Sequence, residues 1–175
     1  MNPVVLFEKG SAWTKQKIEG AKDQLDARTP CEEWDVRAVI NHLIDGQEAY
    51  FQKAAVGEKG TLPSPNPPDL LDGDPVAHYE KTRQATLAAF RKADPEKAMM
   101  PMGIAFVDQV VHGTDIAKAT GQDATIPPEL AEAAFGMVHG NLTPENRGNG
   151  FKPEIPVPDD ASTQDKLLAY MGRNP

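Results

Sequence analysis

Asp108, His112 and Asp115 are three ionisable side chains set inside the apolar stripe of residues 104–119. At about 100° per residue, a helix puts Ile104, Val107 and Val111 to one side of them and Ala105 and Ile116 to the other. A carboxylate and an imidazole four residues apart share a helix face, so Asp108 and His112 point at the same place. Burying such groups without compensation costs several kcal/mol. A divalent cation is the simplest compensation, and D-x-x-x-H is a spacing at which one helix supplies two ligands. Zinc sites of the catalytic type take three protein ligands and keep a fourth position open. His42, on an earlier helix and flanked by the small residues Ala38, Gly46 and Ala49, is the candidate for the third. Asp115, one turn beyond His112, is placed to orient a ligand from behind. The plain alternative is a core histidine hydrogen-bonded to Asp108 or Asp115, and spacing alone leaves the two readings level.

The elements that must position these residues are helices. A first runs from about Pro3 to Asp26, with Gly10 and Gly20 weakening its continuity. A second begins after the cap Asp35 and carries Val36, Val39, Ile40, Leu43, Ile44 and Phe51 at helical spacing. Five prolines between Thr61 and Pro75 enforce a long loop. A third helix follows from Pro75 to Lys92. Pro101 and Gly103 then introduce the helix of Asp108 and His112, which ends at Gly121 as a residue just past a helix does. Pro127-Pro128-Glu129 opens a fifth helix to about Val138, residues 141–160 are irregular, and Ser162 caps a short last helix through Met171. A short extended piece near Ile155 to Val157 is the sole strand candidate. The expectation is an all-α chain of one domain, residues 1–175, with four main helices, long loops and a short C-terminal helix.

Composition bounds the rest. Leu, Ile, Val and Phe total only 35 of 175 residues, but 22 alanines favour closely packed helices over disorder. A net charge of −8 argues against nucleic acid or an anionic membrane as the main partner. No apolar run approaches the roughly 18 residues needed to span a bilayer. Glu8 and Lys9 interrupt the apolar start, so no signal peptide is expected. One cysteine makes no internal disulfide, which points to a reducing cytoplasm. Cys31, with only Arg28 as a basic neighbour, is expected to be a packed thiol, neither nucleophile nor ligand. Trp34 fits a hydrophobic contact at the helix entry. His78 and His139 have no partner at ligand spacing, and Met99, Met100 and Met102 read as packing. The Gly-Asn-Gly at 148–150 follows no strand and opens no helix, so it is no phosphate loop. No serine nucleophile elbow is present.

Three stretches carry a likeness to a known family. Residues 29–43, TPCEEWDVRAVINHL, resemble the signature TPCxEWxVRxLxNHL of an actinobacterial family in the DinB-like superfamily, which includes mycothiol-dependent maleylpyruvate isomerase. Residues 107–121, VDQVVHGTDIAKATG, are similar to its DxxxHxWDxAxATG element, and residues 151–160 with 164–173 are similar to its closing segment. The resemblance implies an up-down four-helix bundle of the DinB-like type. It also implies a metal held by one histidine of the second helix and a D/E-x-x-x-H pair of a later one, positions that match His42, Asp108 and His112. Thr114 stands where the family usually has Trp, a change expected to reshape the pocket wall. The link from Asp94 to Gly103 is short for the family. The isomerase proper has a further C-terminal domain, so maleylpyruvate isomerisation itself is not carried over.

Three functions compete on these residues. One is a metalloenzyme, a transferase or isomerase, that uses a small thiol such as mycothiol and has zinc as its first-choice metal, with nickel and iron open. Another is a non-catalytic metal-binding module, in which Asp115 or Asp45 closes the site as a fourth ligand. The last is a metal-assisted hydrolase whose general base is one of Asp115, Asp45 and Glu48. The substrate is left open, and a homodimer is one assembly kept in view.

Overall fold

Most helix starts in this chain carry a side chain that satisfies an amide of the first turn. Asn2 accepts from the Val4 amide, Asp35 from Ala38, Asp74 from Val76, Asp94 from Glu96 and Ser162 from Asp165. The computed structural model describes residues 2–31, 33–145, 147 and 151–175. Its elements are α1 (Pro3–Ala21), α2 (Val36–Asp45), a π-helical segment (Gly46–Phe51), α3 (Gln52–Ala55), α4 (Pro75–Lys92), α5 (Pro95–Ala119), α6 (Pro128–Val138) and α7 (Thr163–Tyr170). Among the described residues there is no strand, only an isolated antiparallel bridge between Arg28 and Asp35. The piece at Ile155 to Val157 is not a strand; the Ile155 amide donates to the Ala169 carbonyl. The expected Gly148 to Gly150 stretch and Glu32 of the first motif lie outside the described residues. No helix among the described residues is long and apolar enough to cross a membrane.

By internal packing the chain divides into two compact units, residues 1–124 and 125–175. In the first, α5 lies along α1 over most of its length, α4 packs on α1, and α2 meets both α4 and α5. Ile18, Val36, Val39, Ile40, Leu43, Ile44, Tyr79 and Ile116 form the apolar centre, drawn from α1, α2, α4 and α5. The Thr14 hydroxyl donates to the Gln109 carbonyl at 2.8 Å and the Tyr79 hydroxyl to the Ser11 carbonyl at 3.2 Å and to the Gln109 amide oxygen. These bonds tie α5 to α1 and α4 one residue from Asp108. In the second unit α6 packs on α7, and the Arg147 guanidinium lies 4.8 Å over the Tyr170 ring while donating to the Tyr170 carbonyl at 2.7 Å.

Several boundaries differ from expectation for physical reasons. α1 ends at Ala21 and runs unbroken through Gly10 and Gly20. A Cβ at Gly10 would stand 2.9 Å from the Phe106 ring, and Gly20 lies against the Gln122 side chain, so both glycines serve close approach rather than a break. α5 starts at Pro95, and Pro101 lies inside it. An internal proline costs about 3 kcal/mol, but the Asp94 cap, Pro95 in the first turn and the buried Ala98 and Met102 hold the earlier start. The helix that begins at Val36 passes through the π segment into α3 and ends at Ala55. Ile104, expected on the apolar flank, is 49% exposed.

Candidate metal centre

His42 reaches the site because Asp35 starts α2 two turns earlier and the apolar face of that helix is fully buried, which fixes its rotation. Asp108 and His112 follow from the i, i+4 geometry of α5. Together the three form the group among the described residues able to hold a cation: one donor atom from each lies within 4.8 Å of the other two. His42 Nε2 is 3.2 Å and His112 Nε2 3.5 Å from the same Asp108 Oδ1. A tetrahedral zinc site with arms of about 2.0–2.1 Å has donor-to-donor edges of about 3.3 Å, and the two separations bracket that value. The side chains are 13%, 21% and 8% exposed in the order His42, Asp108, His112, so the cluster is sunk but reachable through Asp108.

Asp115, at 1% exposure, lies 3.0 Å from His112 Nδ1 through its Oδ2. Burial pushes the His112 pKa below its usual value. The Asp115 hydrogen bond and the Asp108 charge oppose the shift, and His42 adds to it. A neutral imidazole carries one N–H, and giving it to Asp115 leaves a lone pair on Nε2 facing the Asp108 oxygen. The other tautomer only moves the clash to Nδ1. Either way one nitrogen lone pair faces a carboxylate oxygen across 3.0–3.5 Å. A positive charge between the facing donors removes that repulsion, so the donor set fits a divalent cation.

Other expected residues lie elsewhere. The Thr82 hydroxyl donates to Glu48 at 2.6 Å, and His78 Nε2 is 3.8 Å from the same oxygen, so Glu48 faces α4. His139 stacks on Phe135 at 4.8 Å and Tyr170 at 5.5 Å in the second unit. Cys31 is half-buried. Thr114 is fully buried and its hydroxyl donates to the Val110 carbonyl. Two residues beyond His112, it stands about 200° round the helix, away from the ligand face, so the expected reshaping of the pocket wall does not arise from its side chain.

Trp34 is the residue that sequence reasoning underrated. Its ring lies 4.7 Å from His42 and 5.7 Å from His112, centroid to centroid, and the two imidazoles are 4.9 Å apart. Its position one residue ahead of a cap suggested only a hydrophobic contact. The signal that could have found it is its place in the TPCEEW stretch, eight residues before His42.

Comparison with known proteins adds an independent line. Residues 15–117 match the sequence model of the mycothiol maleylpyruvate isomerase N-terminal domain, a span that includes His42, Asp108, His112 and Asp115. Two uncharacterized proteins of Mycobacterium tuberculosis, one from strain CDC 1551 and one from strain H37Rv, are each 32% identical to this chain. Each alignment runs over 187 residues and covers 99% of this chain and 98% of the relative. No solved structure matches.

Proposed function

The chain belongs to the family of the mycothiol maleylpyruvate isomerase N-terminal domain, and on that premise we propose that it holds a divalent cation, zinc first, on His42, Asp108 and His112 and works with a small thiol, mycothiol, as a transferase or isomerase. The observation that carries the metal is the pair of imidazoles converging through Nε2 on one carboxylate oxygen. When bound, the cation supplies Lewis acidity that lowers the pKa of a thiol reaching it. The chain's own residues do the rest. Asp115 holds the Nδ1 proton of His112 and so keeps its Nε2 lone pair directed at the centre. Asp108, the most exposed of the three, faces the side from which a ligand can enter. α1, α2 with its continuation, α4 and α5 are the four helices of a DinB-like up-down bundle in this reading, and residues 1–175 are taken as one functional domain in a reducing cytoplasm.

Two features favour this reading over a closed structural site or a hydrolase. Asp115 is engaged by His112 and Glu48 by Thr82, so neither is presented as a fourth ligand or a base. The metal-competent group contains no other acidic side chain among the described residues. The test joins elemental analysis of purified protein to calorimetric titration with mycothiol. Near-stoichiometric zinc that disappears in the His42→Ala, His112→Ala double variant supports the metal. Heat of mycothiol binding that disappears in Asp108→Ala supports the thiol. Metal retained by the double variant refutes the site, and an absence of thiol binding to zinc-loaded protein refutes the reaction class.

A further inference from the structure

Trp34 touches both histidines of the cluster and also reaches out of it. Its ring is tilted by only 38° to His42 and 37° to His112, so one indole face leans on two imidazoles from different helices. Its Nε1–H donates to the Pro65 carbonyl at 3.0 Å, in the proline-rich stretch between α3 and α4. That stretch is tied to the helix of His42 at further points. The Thr61 amide donates to the Ala49 carbonyl at 2.9 Å. Asn41, the neighbour of His42, donates to Asp69 at 3.2 Å and accepts from the Leu70 amide at 2.9 Å. Arg37 stands 4.0 Å from the same Asp69 carboxylate. The backbone of Trp34 is fixed in turn, because its carbonyl accepts from the Thr29 hydroxyl at 2.7 Å and its amide donates to Cys31 at 2.7 Å.

We propose that Trp34 is a positioning residue for both imidazoles of the metal centre and that, through its hydrogen bond to Pro65, it couples occupancy of that centre to the hold on residues 61–71. This rests on the metal reading above. An imidazole ring is otherwise free to swing about its last side-chain torsion, where the energy wells are broad. His112 has Asp115 to restrain that swing. The indole face restrains both rings at once, which keeps the two Nε2 atoms turned to Asp108. Closing three donors onto an ion moves imidazoles in contact with the indole, and the indole carries the movement to the Pro65 carbonyl. Leu62 is 72% exposed and Leu70 and Leu71 are half-buried against the core, so the segment offers a protease several apolar sites.

The experiment uses the full chain and zinc alone, with Trp34→Ala and Trp34→Phe. Zinc affinity is read by competition with a chromophoric chelator, coordination by the visible spectrum of the cobalt-substituted protein, and the loop by thermolysin cleavage within 61–71, with and without zinc. In wild type, zinc slows cleavage. In Trp34→Ala, affinity falls by about tenfold or more, as for loss of an outer support, and the cobalt spectrum changes. In Trp34→Phe the ring is kept and the donor lost, so affinity and spectrum are rescued while zinc no longer protects the loop. Wild-type affinity and an unaltered cobalt spectrum in Trp34→Ala overturn the proposal and leave the metal site standing. Undiminished zinc protection in Trp34→Phe overturns the coupling, including the case in which Trp34→Ala does not fold. If wild type binds no zinc, the metal reading itself has failed and the proposal falls with it.

Discussion

Replacing Asp115 gives the most direct measure of how the centre is held. The carboxylate is buried and meets His112 Nδ1 at 3.0 Å. In Asp115→Ala the Nδ1 proton loses its acceptor, and the ring gains freedom to turn its Nε2 away from Asp108. A buried donor left unmet costs about 1–3 kcal/mol. Loss of a partner behind a metal-bound histidine lowers affinity by about 10–100-fold, which is about 1.4–2.8 kcal/mol, whereas the unmet donor weakens the fold with or without metal. Asp115→Asn keeps an acceptor but removes the charge, and its zinc affinity should fall between wild type and alanine. Affinity by chelator competition is the proper readout. Stability of the metal-free protein mixes the lost hydrogen bond with the relief of removing a buried carboxylate. Zinc affinity of Asp115→Ala equal to that of wild type would refute the role assigned to Asp115.

Further expectations concern stability and the remaining candidates. The His112 pKa is lowered in the folded metal-free protein from its usual 6.5, so the unfolded chain binds more protons and acid destabilises. Stability should be fully present above 6.5 and decline as the pH falls toward the folded value, by at most about 1.4 kcal/mol per pH unit; urea titrations of wild type and His112→Gln should differ in that slope. Asp35→Ala removes the cap of the helix that carries His42 and should cost about 1 kcal/mol in urea denaturation, with the metal retained. Cys31→Ala should keep full metal content and lose no more than about 1–2 kcal/mol, and loss of zinc in that variant would overturn the reading of Cys31 as a packed thiol.

Helix starts were legible wherever a cap or a leading proline marks them. Asp35, Pro75, Pro128 and Ser162 all open or cap helices where the sequence placed them. The clustering of Asp108 and His112 was legible too, because helix periodicity alone aligns residues four apart. What could not be read depends on a third dimension. Gly10 looked like a weakness and is a contact point for Phe106. Pro101 looked like a start because its intrinsic preference is local, whereas Asp94 and the buried Ala98 decide the boundary. Trp34 looked like a staple because nothing in its own neighbourhood reveals that His112 arrives beside it from 78 residues away. Thr114 was weighed by its place in a motif, and helix angle sends it to the opposite face.

The π-helical segment that follows α2 has a bearing on how this chain can vary. It accommodates an extra residue within a helix, where the ladder of bonds reaches one position further than usual. Everything beyond it is therefore rotated by about 100° from where an uninterrupted α-helix would carry it. His42 lies before the segment, while Phe51 and Ala55, both buried, lie at its end and beyond. The two parts of one continuous rod thus answer to different phases: the first is set by the buried apolar face of α2, which turns His42 to the cluster, the second by the core against α4 and α5. Deleting one residue between 46 and 51 would return the ladder to α geometry and leave Phe51 and Ala55 on their seats, with His42 undisturbed, because the segment holds the one residue in excess. A loss of one residue here is absorbed by the segment, whereas a gain of one turns everything beyond it by about 100°.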